Sequence, residues 1–207
     1  RLLAAAGARA VPDGTTLTVG AYPVVPDAPR RVLVTGGARS GKSLEAERRL
    51  ETFPEVVYVA TGGRRDGDPE WAARVALHRE RRPGAWRTEE TCELVGLLAA
   101  EGPPLLIDCL ALWLTDAMDR VDAWEDVRWR ESGETALRAR VAELVAAVRG
   151  TRRQVVLVTN EVGSGVVPAT PAGRRFRDEL GRLNAAVAAE CEEVLLVVAG
   201  QAVVVRG

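Results

Sequence analysis

One run of residues constrains this chain more than any other: Gly36-Gly37-Ala38-Arg39-Ser40-Gly41-Lys42-Ser43, which directly follows the apolar run Val32-Leu33-Val34 and opens helical material from Lys42 to Glu51. It satisfies the phosphate-loop (P-loop) pattern in the strand, loop, helix context that gives the pattern its meaning. Glycines let backbone amides curl round phosphate oxygens, and the helix N-terminus adds positive potential. The Lys42 ammonium reaches the β- and γ-phosphates, and the Ser43 hydroxyl is a ligand for Mg²⁺. The competing reading is a glycine turn that merely precedes a helix. Against it, Lys42 is the one lysine among 28 Lys and Arg residues, and His78 is the one histidine. A bias this strong toward arginine suggests that a surviving Lys or His stands where arginine cannot do the job.

An acidic residue closing a later apolar strand should help to hold the metal, and Asp108 after Leu105-Leu106-Ile107 has that position. The alternative is an aspartate that caps the next helix. Nucleoside triphosphate binding follows from the loop, whereas the chemistry does not: kinases, ATPases, GTPases and transferases all share it.

Two segments differ in character. Residues 1–30 are Ala-rich, turn at Val11-Pro12-Asp13-Gly14 into Thr15-Thr16-Leu17-Thr18-Val19, and then carry Pro23, Pro26 and Pro29. They read as an N-terminal arm, or the remnant of an upstream domain, plus a linker. Residues 31–207 alternate strand and helix. Strands are expected at Val32–Val34, Val56–Ala60, Leu105–Asp108 and Val155–Thr159, with a closing antiparallel hairpin from Val194–Val198 and Ala202–Val205. Helices are expected from Asp68 to Arg82, Glu90 to Glu101, Leu110 to Asp119, Gly133 to Arg149 and Pro171 to Glu190. Val121 to Ser132, with Trp124 and Trp129 among charges, reads as an exposed excursion. All-apolar strands separated by helices imply an α/β fold: a mostly parallel sheet flanked by helices, the RecA-like P-loop NTPase arrangement, ending in that hairpin.

The 28 basic residues face 29 acidic ones, and a net charge of −1 offers no overall attraction to nucleic acid or an anionic membrane surface. No apolar run reaches the roughly 18 residues of a membrane span, and the sequence shows no secretory signal, so a cytoplasmic protein is expected. Cys92, Cys109 and Cys191 are too widely spaced for a paired-cysteine zinc site and read as reduced core thiols.

His78 carries two readings. Trp71, Val75, His78 and Arg82 fall on one helical stripe, as a core or helix-end histidine would. Yet Arg79, Arg81, Arg82 and Arg87 crowd it; such cations hold an imidazole neutral and bind phosphates, the surroundings a nucleophile toward phosphorus needs. Glu161 lies where open α/β sheets place ligands, or else caps the Gly163-Gly165 turn. Arg177, Asp178 and Arg182 read equally as site residues or as a solvated, salt-bridged helix face.

Five segments in one order, from Arg31 to Val205, carry a resemblance: the loop of residues 36–43, His78-Arg79-x-x-Arg82-Pro83-x-x-Trp86-Arg87-Thr88, Leu106-Ile107-Asp108-Cys109-Leu110, Thr159-Asn160-Glu161-Val162-Gly163-x-Gly165-Val166-Val167-Pro168, and Phe176-Arg177-Asp178-x-x-Gly181-Arg182-x-Asn184. Together they resemble the bifunctional adenosylcobinamide kinase/adenosylcobinamide-phosphate guanylyltransferase family of cobalamin biosynthesis. The resemblance implies phosphorylation of the corrinoid's aminopropanol hydroxyl, then transfer of GMP from GTP to the new phosphate through a guanylylated histidine, which maps onto His78. It implies nucleotide contacts at Gly36 to Ser43, at Ala60, Thr61 and Gly62, at Arg79, Glu80, Arg81 and Arg82, and at Glu90 and Asp108. GTP and ATP are the implied nucleotides, Mg²⁺ the cofactor at Ser43 and Asp108, and a homo-oligomer, a trimer, the assembly. The first thirty residues and Gly62-Gly63-Arg64-Arg65-Asp66-Gly67 depart from the family's pattern. Two rivals stay open beside it: a small-molecule kinase without nucleotidyl transfer, and a regulatory nucleotide-binding module.

Overall fold

The computed structural model describes residues 29–62 and 83–207. The segments 1–28 and 63–82, with the expected N-terminal hairpin and the expected helix from Asp68, lie outside the described residues.

Among the described residues seven strands form one sheet: β1 (Arg31–Gly36), β2 (Val57–Ala60), β3 (Arg87–Glu90), β4 (Leu105–Asp108), β5 (Val155–Asn160), β6 (Glu193–Val198) and β7 (Gln201–Arg206), in the order β3-β2-β4-β5-β1-β6-β7. Every pairing is parallel except that of β7 with β6. The central strands are near-continuous apolar runs because helices cover them. Val32 to Val34, Leu105 to Ile107 and Val155 to Val158 are each no more than 2% exposed.

Helix α1 (Lys42–Leu50) packs on β5 and β1 and buries Ala46, Glu47 and Leu50. The short α2 (Leu94–Ala99) rests on α4 (Glu134–Gly150), while α3 (Leu110–Asp119) packs against β5. Helix α5 (Pro171–Ala189) starts at an N-cap, Thr170, whose hydroxyl accepts from the Gly173 amide at 3.1 Å, with proline in the first position. Its expected stripe is buried at Leu180, Leu183 and Val187, and Phe176 is half-buried against the core.

Two expectations need correction. The helix expected from Glu90 to Glu101 is shortened to the two-turn α2, and residues 87–90 just before it form an edge strand, β3, that was not expected. Arg87-Thr88-Glu89-Glu90 lacks apolar alternation; among the described residues β3 has a neighbour, β2, on one side alone, and parallel pairing with that strand makes it part of the sheet. The excursion of residues 121–132 is not simply exposed. Trp124 and Trp129 are half-buried against the core, and the Arg175 guanidinium lies 5.0 Å from the Trp129 ring while pairing with Asp126 at 2.5 Å. The cysteines are unpaired as expected, and burial pushes the Cys109 thiol up to about 11. Among the described residues, no helix is long and apolar enough to cross a membrane.

At the amino edge of the sheet Glu192 accepts from the Arg31 amide at 2.6 Å and from two nitrogens of its guanidinium at 3.0 and 2.5 Å. Burial works against the charged carboxyl, but these bonds prevail and hold it below its ordinary value of 4.5. Stability from a depressed carboxyl is fully present above about pH 4.5 and is lost as pH falls through the folded-state value. Thermal melts from about pH 3 to about pH 7 should therefore show Glu192→Gln less stable than the parent at neutral pH, with the gap closing in acid.

Candidate active site at the carboxyl edge of the sheet

The register brings the expected residues to one edge. Ala60 pairs with Glu90 on one side and Asp108 on the other, while Gly36 lies opposite Asn160 and Val197. Glu90, Ala60, Asp108, Asn160 and Gly36 thus end five parallel strands side by side, where open α/β sheets bind ligands.

The cradle begins at Gly36, where a Cβ would stand 2.5 Å from the Val197 carbonyl oxygen and 2.6 Å from Ser40 Oγ. Glycine is required there by close approach. Gly41 is required by conformation, with φ of 97°, and by the hairpin turn, whose Gly200 Cα would lie 3.3 Å from an added Cβ. Arg39 also takes a positive φ, of 57°, and is exposed with Gly37 and Ala38. The Gly200 amide donates to the Ser40 carbonyl at 2.8 Å, so the β6–β7 turn, Ala199-Gly200, buttresses the loop. Helix α1 has no side-chain cap, which leaves its N-terminus to receive an anion.

Lys42 is half-buried and folds back so that Nζ donates to the Gly37 carbonyl at 3.1 Å. Burial lowers its pKa, opposed by the nearby Asp108 carboxylate, which favours the charged ammonium. Asp108 Oδ2 accepts from the Tyr58 hydroxyl at 3.0 Å across the β2–β4 pair. Among the described residues no group of three or more His, Cys, Asp and Glu is placed to hold a metal ion. The hydroxyl of Ser43 and the carboxylate of Asp108 are hard oxygen donors of the kind Mg²⁺ takes.

Other expected residues are placed less simply. Thr61 is buried, and its hydroxyl donates to the Cys109 carbonyl at 2.6 Å and accepts from the Cys109 amide at 2.9 Å, tying β2 to β4. Its side chain is thus committed to backbone, and Ala60 and Gly62 on either side of it are half-buried. Glu90 is exposed at the end of β3. Glu161 Oε1 caps the turn as one of its two readings held, accepting from the Gly163 and Ser164 amides at 2.6 and 3.2 Å. Asn184 joins α5 to β5 by accepting from Thr159 Oγ1 at 2.7 Å and donating to the Asn160 carbonyl at 3.0 Å. Arg177 donates to the Gly163 carbonyl, and Arg182 pairs with Glu179 on the helix face. His78, Arg79, Glu80, Arg81 and Arg82 lie outside the described residues.

Two supports were missed by the sequence reading. Tyr58, which orients Asp108, had a visible signal as the one polar group in an apolar strand. The hairpin turn's contact with the loop had none, since it joins residues about 160 positions apart.

Fold and edge together define a P-loop nucleotide-binding protein. A structure described as a prototypical ATPase from the type III secretion system of pathogenic bacteria shares the fold, with a TM-score of 0.50 and 11% identity over 81% of this chain and 50% of that one. The particular family is set by sequence. The profile of the cobinamide kinase / cobinamide phosphate guanyltransferase family matches residues 32–205, and the chain belongs to that family. It is 40% identical over 181 residues to the bifunctional adenosylcobalamin biosynthesis protein CobU of Salmonella typhimurium, covering 84% of this chain and 99% of that protein. It is 41% identical over 182 residues to the corresponding protein CobP of Pseudomonas aeruginosa, covering 86% and 98%.

Gly36→Ala should therefore leave the chain folded by circular dichroism yet weaken nucleotide binding by at least about tenfold in a calorimetric titration with GTP, because the loop must move off the Val197 carbonyl. Unchanged affinity would show that the cradle tolerates a different path.

Proposed function

We propose that this carboxyl edge carries out both reactions in the family's name, first phosphorylating a cobinamide hydroxyl from a nucleoside triphosphate and then moving GMP from GTP to the new phosphate through His78. The observation that carries the reading is the meeting of the single lysine, folded over the loop at 3.1 Å, with Asp108 and the uncapped start of α1 at one sheet edge. This edge grips a triphosphate by its terminal groups.

For guanylyl transfer, a grip on the β- and γ-phosphates holds pyrophosphate as leaving group. A ring nitrogen of His78 attacks the α-phosphorus, a P–N bond forms, and the α–β bridging P–O bond breaks to release pyrophosphate. An oxygen of cobinamide phosphate then attacks the same phosphorus, forming the diphosphate link and breaking the P–N bond. Arg79 and Arg82 offset the developing charge, with Glu80 and Arg81 between them as further nucleotide contacts. Ala60, Gly62, Glu90 and Asp108 line the nucleotide's path on the β2, β3 and β4 side. Asp108 and Ser43 are the residues that would hold Mg²⁺, with Tyr58 fixing one carboxylate oxygen of Asp108; the metal when bound neutralises phosphate charge. In the kinase step the γ-phosphoryl group passes instead to the acceptor hydroxyl, with ATP or GTP as donor and Lys42 on the phosphates.

The catalytic unit is residues 31–207, working in the cytoplasm where its nucleotides are, with residues 1–30 as arm or remnant. A homo-oligomer, a trimer, is part of the proposal. Edge strand β7 supports it, with Val203, Val204 and Val205 at 53, 59 and 64% exposure, and sedimentation velocity reads the assembly directly.

The test uses GTP labelled at the α-phosphate, without corrinoid. Label should become covalently attached, be lost in acid and survive mild base as a phosphoramidate does, and map to His78 by mass spectrometry. His78→Ala should abolish labelling and leave the kinase step, whose nucleophile is the substrate's own hydroxyl. Undiminished labelling of that variant would place the nucleophile elsewhere, and an unlabelled parent chain would favour a kinase without nucleotidyl transfer.

A further inference from the structure

We propose that the loop of residues 162–170 is the acceptor platform, seating the apolar flank of the corrinoid on Val166 and Val167 while the group to be modified reaches over Gly36 to the nucleotide phosphates. The inference rests on the preceding reading of function and adds a location to it.

Position is the first ground. Strand β5 separates the P-loop strand β1 from the Asp108 strand β4, and the Glu161 amide donates to the Gly36 carbonyl at 3.0 Å. The chain leaving β5 therefore starts beside the first glycine of the cradle. An acceptor oxygen must come to about 3–3.5 Å from the phosphorus it attacks, so the bulky remainder of the acceptor rests on whatever borders the cradle.

Bracing is the second. Glu161 Oε1 holds the Gly163 and Ser164 amides, Arg177 holds the Gly163 carbonyl at 2.6 Å, and Arg174 holds the Pro168 and Ala169 carbonyls at 3.0 and 2.7 Å. Thr170 then caps α5. Backbone polar groups of the loop are thus engaged by Glu161 and α5, and the order this imposes is in place before any ligand arrives.

Display is the third. On this braced loop Val166 is 94% and Val167 58% exposed. Adjacent valines held outward match the methyl-bearing periphery of a corrinoid. A second copy of the chain would need a far wider apolar face, on the order of 800 Å² per partner, which two valines do not supply.

The experiment replaces both valines, Val166→Ser with Val167→Ser, and compares the variant with the full parent chain for four properties. These are KM for adenosylcobinamide, KM for GTP, self-guanylylation without corrinoid, and sedimentation. The platform predicts a corrinoid KM raised by about tenfold or more with GTP KM, labelling and sedimentation unchanged. The apolar replacements Val166→Leu with Val167→Leu should keep most of the acceptor affinity, which a loss of loop structure would not allow. An unchanged corrinoid KM with normal labelling overturns the platform while leaving the two-step reading intact. An unchanged corrinoid KM with altered sedimentation assigns the valines to self-association and overturns it equally. A parent chain that takes no label at all removes the two-step reading, and the platform with it.

Discussion

A phosphate cradle needs backbone amides that point at an empty space and stay there without a ligand, which is the opposite of what a folded chain does with its polar groups. The rest of this fold is arranged to keep residues 36–43 in that state. Gly36 is pressed against the Val197 carbonyl, the Gly200 amide holds the Ser40 carbonyl, and the Glu161 amide holds the Gly36 carbonyl. These three supports come from β6, from the β6–β7 turn and from the residue that follows β5, so they reach β1 from both sides. The central place of β1 in the sheet thus has a functional consequence: a cradle on an edge strand would be supported on one side alone.

Arginine and lysine divide the work in this chain along physical lines. Arg31, Arg149, Arg153 and Arg175 use their planar forks on carboxylates and carbonyls, joining elements far apart in sequence, and Arg174 uses its own on the loop just before its helix. Arg153 is buried, and its guanidinium satisfies the carbonyls of Leu97 and Pro103 near the end of α2. Lys42 alone is a point donor on a flexible stem, able to lie on the Gly37 carbonyl and to swing toward a phosphate.

How much of this was legible in the sequence depends on whether an element is specified by its own residues or by its neighbours. The P-loop, the buried strands and the hairpin carry local signals, and each is found where its residues put it. Strand β3 carries none: Arg87-Thr88-Glu89-Glu90 is polar, and what makes it a strand is pairing with β2. Thr61 shows the same limit at the site. Its place after β2 was readable, but not the turn of its hydroxyl toward the Cys109 backbone. By sequence Glu161 is compatible with ligand binding or with capping, and only the fold brings the amides of Gly163 and Ser164 onto one of its oxygens. His78 rests on sequence and family alone, since it lies outside the described residues.

In the proposed function one phosphate grip serves two chemistries, and both depend on Lys42. The most direct measurement is to make Lys42→Ala and determine the kinase rate and the rate of guanylyl attachment on the same preparation, with folding checked by circular dichroism. A shared grip predicts that both rates fall together by about 100-fold or more. A folded variant that loses one activity and keeps the other near the parent rate would mean that the two reactions hold their phosphates in different places.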